Sequence, residues 1–164
     1  MNSLHEILRI VLIGAGATLV MDIWLLVLKR MGVQTLNFAL IGRWVGHLFY
    51  GRIAHSAIGK SWPIPHETAL GWLTHYAVGI GFAALLLALA GGAWAAQPAL
   101  LPALLLGMGT VVFPLLVMQP AMGLGFAASK TPAPLKSCGR SLLNHTVFGL
   151  GLYLSASFFA AVLA

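Results

Sequence analysis

Four long apolar stretches, at about residues 7–28, 69–93, 99–119 and 141–163, leave this chain few ways to fold. Each is close to the ~20 residues that a helix needs to cross the hydrocarbon core of a bilayer. In that core every backbone N–H and C=O must be paired inside the spanning structure, which allows helices or a closed barrel. Continuous apolar runs without two-residue alternation select helices. The composition agrees, with 60% hydrophobic and only 7% charged residues, far below the roughly 25% charge of a soluble domain. The expected fold is all-α: one membrane domain over residues 1–164, a polytopic four-helix bundle.

Positive charge orients such a bundle, because Lys and Arg accumulate in cytoplasmic loops. The first connection carries Lys29, Arg30, Arg43, Arg52 and Lys60, and the third carries Lys130, Lys136 and Arg140. The short second connection around Gln97 and the C-terminal tail carry none, and only Arg9 dissents. The pattern predicts cytoplasmic first and third connections and both termini outside the cytoplasm. The net charge of +6 belongs to these orienting residues, which also meet anionic lipid headgroups. The implied partner is therefore the lipid bilayer and no nucleic acid. The first span is too long for a secretory signal, lacks a small-residue cleavage site and ends in Lys29-Arg30, so it is expected to remain as a helix. The single cysteine, Cys138, excludes an internal disulfide.

Between the first two spans, Asn37 is placed to cap a surface helix over about 37–50. Phe38, Ile41, Trp44, Val45, Leu48 and Phe49 make one apolar side of it, with Arg43 and His47 one turn apart on another. This predicts an amphipathic interfacial helix lying on the cytoplasmic surface. Trp62-Pro63-Ile64-Pro65 follows as a stiff extended strip, and Glu67 suits the first turn of the second span.

Each span contains a Gly-x-Gly, at Gly14 and Gly16, Gly79 and Gly81, Gly107 and Gly109, and Gly149 and Gly151. Small residues let helix backbones approach where lipid supplies no hydrophobic drive, so these are packing positions. The second and fourth spans also share His-x-x-x-Gly-x-Gly, beginning at His75 and His145. A duplicated helical hairpin would give this echo, with its halves running in the same direction.

Ionisable side chains inside apolar spans are costly and mark either a site or a structural pair. Asp22, His75 and His145 fall in one layer, roughly 8–12 Å inside the cytoplasmic helix ends at 1.5 Å per residue. Each shares a helical stripe with small residues, which turns it toward a neighbouring helix. Pro114 should bend the third span and free the Thr110 carbonyl, and Gln119 ends that span at a similar level. The expected site is a polar cluster of Asp22, His75, Gln119, Asn144 and His145, with Arg43 and His47 of the surface helix above it. Asp22 is expected to pair with His75, His145 or Arg43. His5, His55 and His66 are read as solvated loop residues. Met21, Met118 and Met122 would suit Cu(I), but methionine is equally an ordinary core residue.

Several strings together resemble a family of small bacterial inner-membrane proteins classified only as a domain of unknown function, number 2938. They are Gly16-Ala-Thr-Leu-Val-Met-Asp22, the Gly42-Arg43-Trp-Val-Gly-His47 segment, Leu70-Gly-Trp-Leu-Thr-His75-Tyr, Met118-Gln-Pro120-Ala-Met-Gly123 and His145-Thr-Val-Phe-Gly-Leu-Gly-Leu-Tyr153. The resemblance covers nearly the whole chain in order. It implies a bacterial inner-membrane location and carries no activity, cofactor or catalytic residue.

The leading functional expectation is a non-enzymatic, small transporter-like or accessory subunit. Its intramembrane polar site would hold a proton, a cation or a small polar solute, with no cofactor. Because a four-helix monomer encloses little aqueous volume, transport implies a homodimer or a membrane protein partner. A redox protein with His75 and His145 as axial ligands of haem b is the alternative. A membrane enzyme is the third class, but three acids and no Ser-His-Asp or His-Glu-x-x-His arrangement leave it few acid-base groups.

Overall fold

The structure, a computed structural model, describes residues 3–162, and its regular elements are helical throughout. In chain order they are α1 (Ser3–Arg30), α2 (Phe38–Leu48), α3 (Glu67–Ala90), α4 (Leu100–Gly109), α5 (Gln119–Ala121) and α6 (Pro134–Val162). Four stretches are long and apolar enough to cross a membrane: Leu4–Arg30, Glu67–Ala90, Leu100–Ala121 and Pro134–Val162. The largest departure from expectation is at α6, which starts at Pro134 and takes Lys136 and Arg140 into its first turns. Proline is preorganised for the first turn of a helix, where no N–H is needed; charge ended the apolar run without ending the helix. The expected end of the fourth span at residue 163 lies outside the described residues.

Between α3 and α4 the chain reverses through a short turn. Gly91 takes a positive φ of 84°, as the residue after a helix end often must, and the Trp94 indole N–H donates to the Ala99 carbonyl at 3.1 Å.

The chain divides into two compact units. The first comprises Met1–Gln34, Tyr76–Thr110 and Leu143–Ala164 and the second Thr35–His75 and Val111–Leu142, so α3 and α6 each contribute to both.

In the first unit, helices meet backbone to backbone. A Cβ added at Gly14 would lie 2.5 Å from the Ile80 Cα, and one at Gly107 would lie 2.5 Å from the Gly149 Cα. Gly16 packs on Ser155 and Gly151 on Ala17, whereas Gly81 and Gly109 face open space. The small-residue seams are filled in by Ile13, Ala17, Ala83, Leu86, Ala103, Phe148 and Leu152, all buried.

In the second unit, α2 lies against the start of α3. A Cβ at Gly42 would run into the Glu67 carbonyl, and one at Gly71 into the Phe38 carbonyl. The helix thus turns Ile41, Gly42, Gly46 and His47 inward, while Leu48 and Phe49 remain exposed. Asn37 caps it as expected, accepting the Ala39 N–H at 3.0 Å. The face that holds α2 to the protein is the one carrying its small residues and His47.

The third span changes pitch near Pro114. After α4 the backbone winds as a π-helix over Phe113–Met118, and the Gln119 N–H reaches back five residues to the Pro114 carbonyl. The ring's missing N–H and its bulk against the preceding turn account for the break. Beyond α5, Ala127 and Ala128 have left-handed φ values of 48° and 59°. The first connection returns to this region, where the His55 N–H donates to Ala121 O at 2.8 Å and the Ile58 N–H to Met122 O at 3.0 Å.

Candidate functional site

The residues expected to form the polar layer are held mainly by neighbours the sequence did not single out. Asp22 is half-buried on α1, and its Oδ2 accepts the Tyr76 hydroxyl at 2.9 Å. Asn144, buried on α6, accepts the Trp24 indole N–H at 3.0 Å. The Thr110 hydroxyl donates to Gly107 O at 2.6 Å and lies 2.8 Å from His145 Nδ1. A hydroxyl has one hydrogen, so at the second contact it accepts and His145 carries its proton on Nδ1. His75, in the second unit, has its ring centre 4.7 Å from that of Phe38 and 5.9 Å from that of Trp72. Among the described residues no group of three or more His, Cys, Asp or Glu side chains gathers as a metal ion would require. Cys138 donates its thiol to Ala127 O at 3.1 Å.

Arg43 and Glu67 form a forked ion pair. Arg43 Nε and Nη2 each donate to a Glu67 carboxylate oxygen at 2.8 Å, and Nη1 donates to Ser61 O at 3.1 Å. Glu67 Oε2 also accepts the Ile64 N–H at 3.1 Å. One guanidinium therefore ties α2, the 58–61 turn and the start of α3 together. These bonds to Glu67, opposed by burial, raise the Arg43 pKa above its already high ordinary value.

Four residues further along α2, His47 is fully enclosed. His47 Nε2 is 3.1 Å from the Trp62 carbonyl oxygen and Nδ1 is 2.6 Å from His55 Nε2. A carbonyl only accepts, so His47 Nε2 carries a proton, and in the neutral ring Nδ1 must then accept from His55 Nε2–H. That leaves the His55 Nδ1 lone pair, and this atom is buried without a partner. The Trp62 ring centre lies 4.4 Å from that of His47 and 4.6 Å from the Arg52 guanidinium carbon. Burial first, then the charges of His47 and Arg52, push the His55 pKa below the ordinary histidine value, against a raising contribution from its backbone bond to Ala121.

Gln119 stands on the segment that receives this connection, and its Oε1 is likewise buried without a partner. His55 is 9% exposed and Gln119 8%. His55 corrects the reading of it as a solvated loop residue. Its burial comes from the long-range bonds of this connection, His55 N–H to Ala121 and Ile58 N–H to Met122, for which the local sequence has no signal. His5 and His66 are exposed. Tyr76 had a faint signal, being a phenol next to His75 inside an apolar span; the Arg43–Glu67 pair had a clearer one, since Glu67 is the one acid near that loop.

A family model described as a protein of unknown function (DUF2938) matches residues 11–159. No curated protein and no solved structure matches the chain.

Proposed function

The chain belongs to the DUF2938 family of proteins of unknown function, and from the second unit we propose a non-enzymatic, transporter-like or accessory membrane subunit. Its polar site for a proton, a cation or a small polar solute is centred on His47, His55 and Gln119. The observation that carries this reading is the pair of buried, unpartnered acceptors, His55 Nδ1 and Gln119 Oε1. An orphaned buried polar atom costs about 1–3 kcal/mol, so it persists only for a reason. Asp22, Asn144 and His145 act as helix-to-helix struts in this reading. The placement is a bacterial inner membrane with both termini outside the cytoplasm, supported by the distribution of Lys and Arg. The matching contacts of Gly14 on Ile80 and Gly107 on Gly149 support descent from a duplicated hairpin. Transport would engage a second copy or a membrane partner.

Protein carrying 15N-labelled histidine, reconstituted in lipid nanodiscs, tests the site. Acid, sodium, ammonium and urea are offered in turn while the His55 nitrogen signals are followed. At least one should move them below the concentration that perturbs His5 and His66. If none does, the second unit holds no such site.

A further inference from the structure

Arg9 is the one Lys or Arg of nine that lies outside the basic first and third connections, and the first unit gives it a setting. The stretch of α1 from Arg9 to Arg30 is roughly 31 Å long at 1.5 Å per residue, about the thickness of the hydrocarbon core. With Arg30 at the headgroups of one leaflet, Arg9 falls at those of the other. Glu6, one turn earlier, shares its face of the helix. Both line a cleft of about 280 Å³, whose other walls are Ala84, Leu87 and Ala88 near the end of α3 and Gly92 of the turn that follows. The small side chains of Ala84 and Ala88, one helical turn apart, leave the space open. A Cβ added at Gly92 would lie 4.0 Å from Glu6 Oε1, so the carboxylate sits close to this turn. Residues three apart on a helix are placed to pair, yet neither Glu6 nor Arg9 makes a hydrogen bond or ion pair with a described residue.

We propose that this cleft binds the phosphoethanolamine headgroup of a membrane lipid, its phosphate on the Arg9 guanidinium and its ammonium on the Glu6 carboxylate. The glycerol and first methylenes would then lie over Leu87 and the two alanines. Charge selects this occupant. A guanidinium meets phosphate with paired N–H donors, but a purely anionic headgroup is repelled by Glu6 and leaves that carboxylate unanswered. A choline headgroup carries both charges and has no N–H to give the carboxylate. Ethanolamine answers both groups, since a primary ammonium has three donors. Size agrees, because the cleft falls just below the ~300–1,000 Å³ of ligand pockets, which suits a headgroup and turns away a large solute. The apolar wall favours a headgroup that arrives on a lipid over free phosphoethanolamine. Bound there, the lipid ties α1 to the end of α3. The site is separate from the one proposed in the second unit and stands or falls without it.

The test offers the purified protein, in detergent micelles, phosphatidylethanolamine, phosphatidylglycerol and phosphatidylcholine of matched acyl chains, and separately free phosphoethanolamine. Binding is read by native mass spectrometry. The wild type should hold the ethanolamine lipid about tenfold more tightly than either other lipid, the scale of one hydrogen bond to a charged group. Glu6→Gln should weaken the ethanolamine lipid about tenfold and strengthen the glycerol lipid, because the repelling charge is gone. A general loss of structure would weaken both, so it cannot imitate this pattern. Arg9→Gln should weaken all three lipids. Gly92→Leu keeps both charges and fills the cleft, and it should abolish the preference. Equal binding of the three lipids by the wild type would overturn the proposal, as would a preference that survives Glu6→Gln and Gly92→Leu. If free phosphoethanolamine binds as tightly as the lipid, the apolar wall plays no part and the lipid assignment falls.

Discussion

The two units treat their buried polar groups in opposite ways. In the first, Asp22 meets Tyr76, Asn144 meets Trp24 and His145 meets Thr110, beside seams where glycines bring backbones together. The second holds a forked ion pair, a two-histidine contact and two acceptors, His55 Nδ1 and Gln119 Oε1, that have no partner among the described residues. Left-handed non-glycine residues, His66, Ala127 and Ala128, also fall in the second unit. Each costs of order 1–3 kcal/mol and persists where surrounding structure enforces it. An ionisable residue deep in an apolar helix is thus not by itself the sign of a site. In the first unit Asp22, Asn144 and His145 each have a partner, and the second unit is where unsatisfied buried atoms are found among the described residues.

The largest effect should come from the ion pair. Arg43→Ala leaves Glu67 partly buried without its counter-charge and should cost about 3 kcal/mol; Arg43→Lys should restore little, since an ammonium cannot copy the fork. Unfolding in detergent with added denaturant would show it, and a loss below about 1 kcal/mol would place the second unit's cohesion elsewhere. Tyr76→Phe comes next. It removes the Asp22 contact and should cost about 1 kcal/mol, the scale of hydrogen bonds between membrane helices, when assayed in the same way.

The sharpest test has the opposite sign. Gln119→Leu deletes an acceptor that has no partner, so it should stabilise the protein by up to about 1 kcal/mol, a gain readable as a raised midpoint of thermal unfolding. A destabilised Gln119→Leu would erase the contrast between the units. The smallest effect is a pH slope. His55 holds a depressed pKa in the fold, so its contribution is complete above the unfolded value of about 6.5 and declines as pH falls through the folded one. His55→Phe should flatten the stability profile below about pH 6.5 and leave it unchanged above. An identical acid-side slope in the variant would show that His55 titrates normally.

Much of the fold was legible because the bilayer is a demanding solvent. Spans, their helical character, the Asn37 cap and the break at Pro114 all follow from rules acting within a few residues. The candidate site was legible only in part. The sequence points to His47, Arg43 and Gln119 but reads His55 as solvated and is silent on Tyr76, because His55 is drawn in by its backbone bond to Ala121 on the third span and the partner of Tyr76, Asp22, lies 54 residues away. The face by which α2 is held was not legible either: Gly42 and Gly71 allow the backbones of α2 and α3 to touch, which buries Ile41 and His47 and leaves Leu48 and Phe49 of the apolar side exposed.

What the sequence determined by itself is local and solvent-driven: an apolar run must pair its own backbone, and a proline must interrupt it, wherever the rest of the chain goes. What tertiary structure alone decided is which polar atoms found partners. Hydrogen bonds are short and directional, so whether Asp22 is a strut and His55 an open acceptor depends on positions set by the returning chain, to within a few tenths of an ångström.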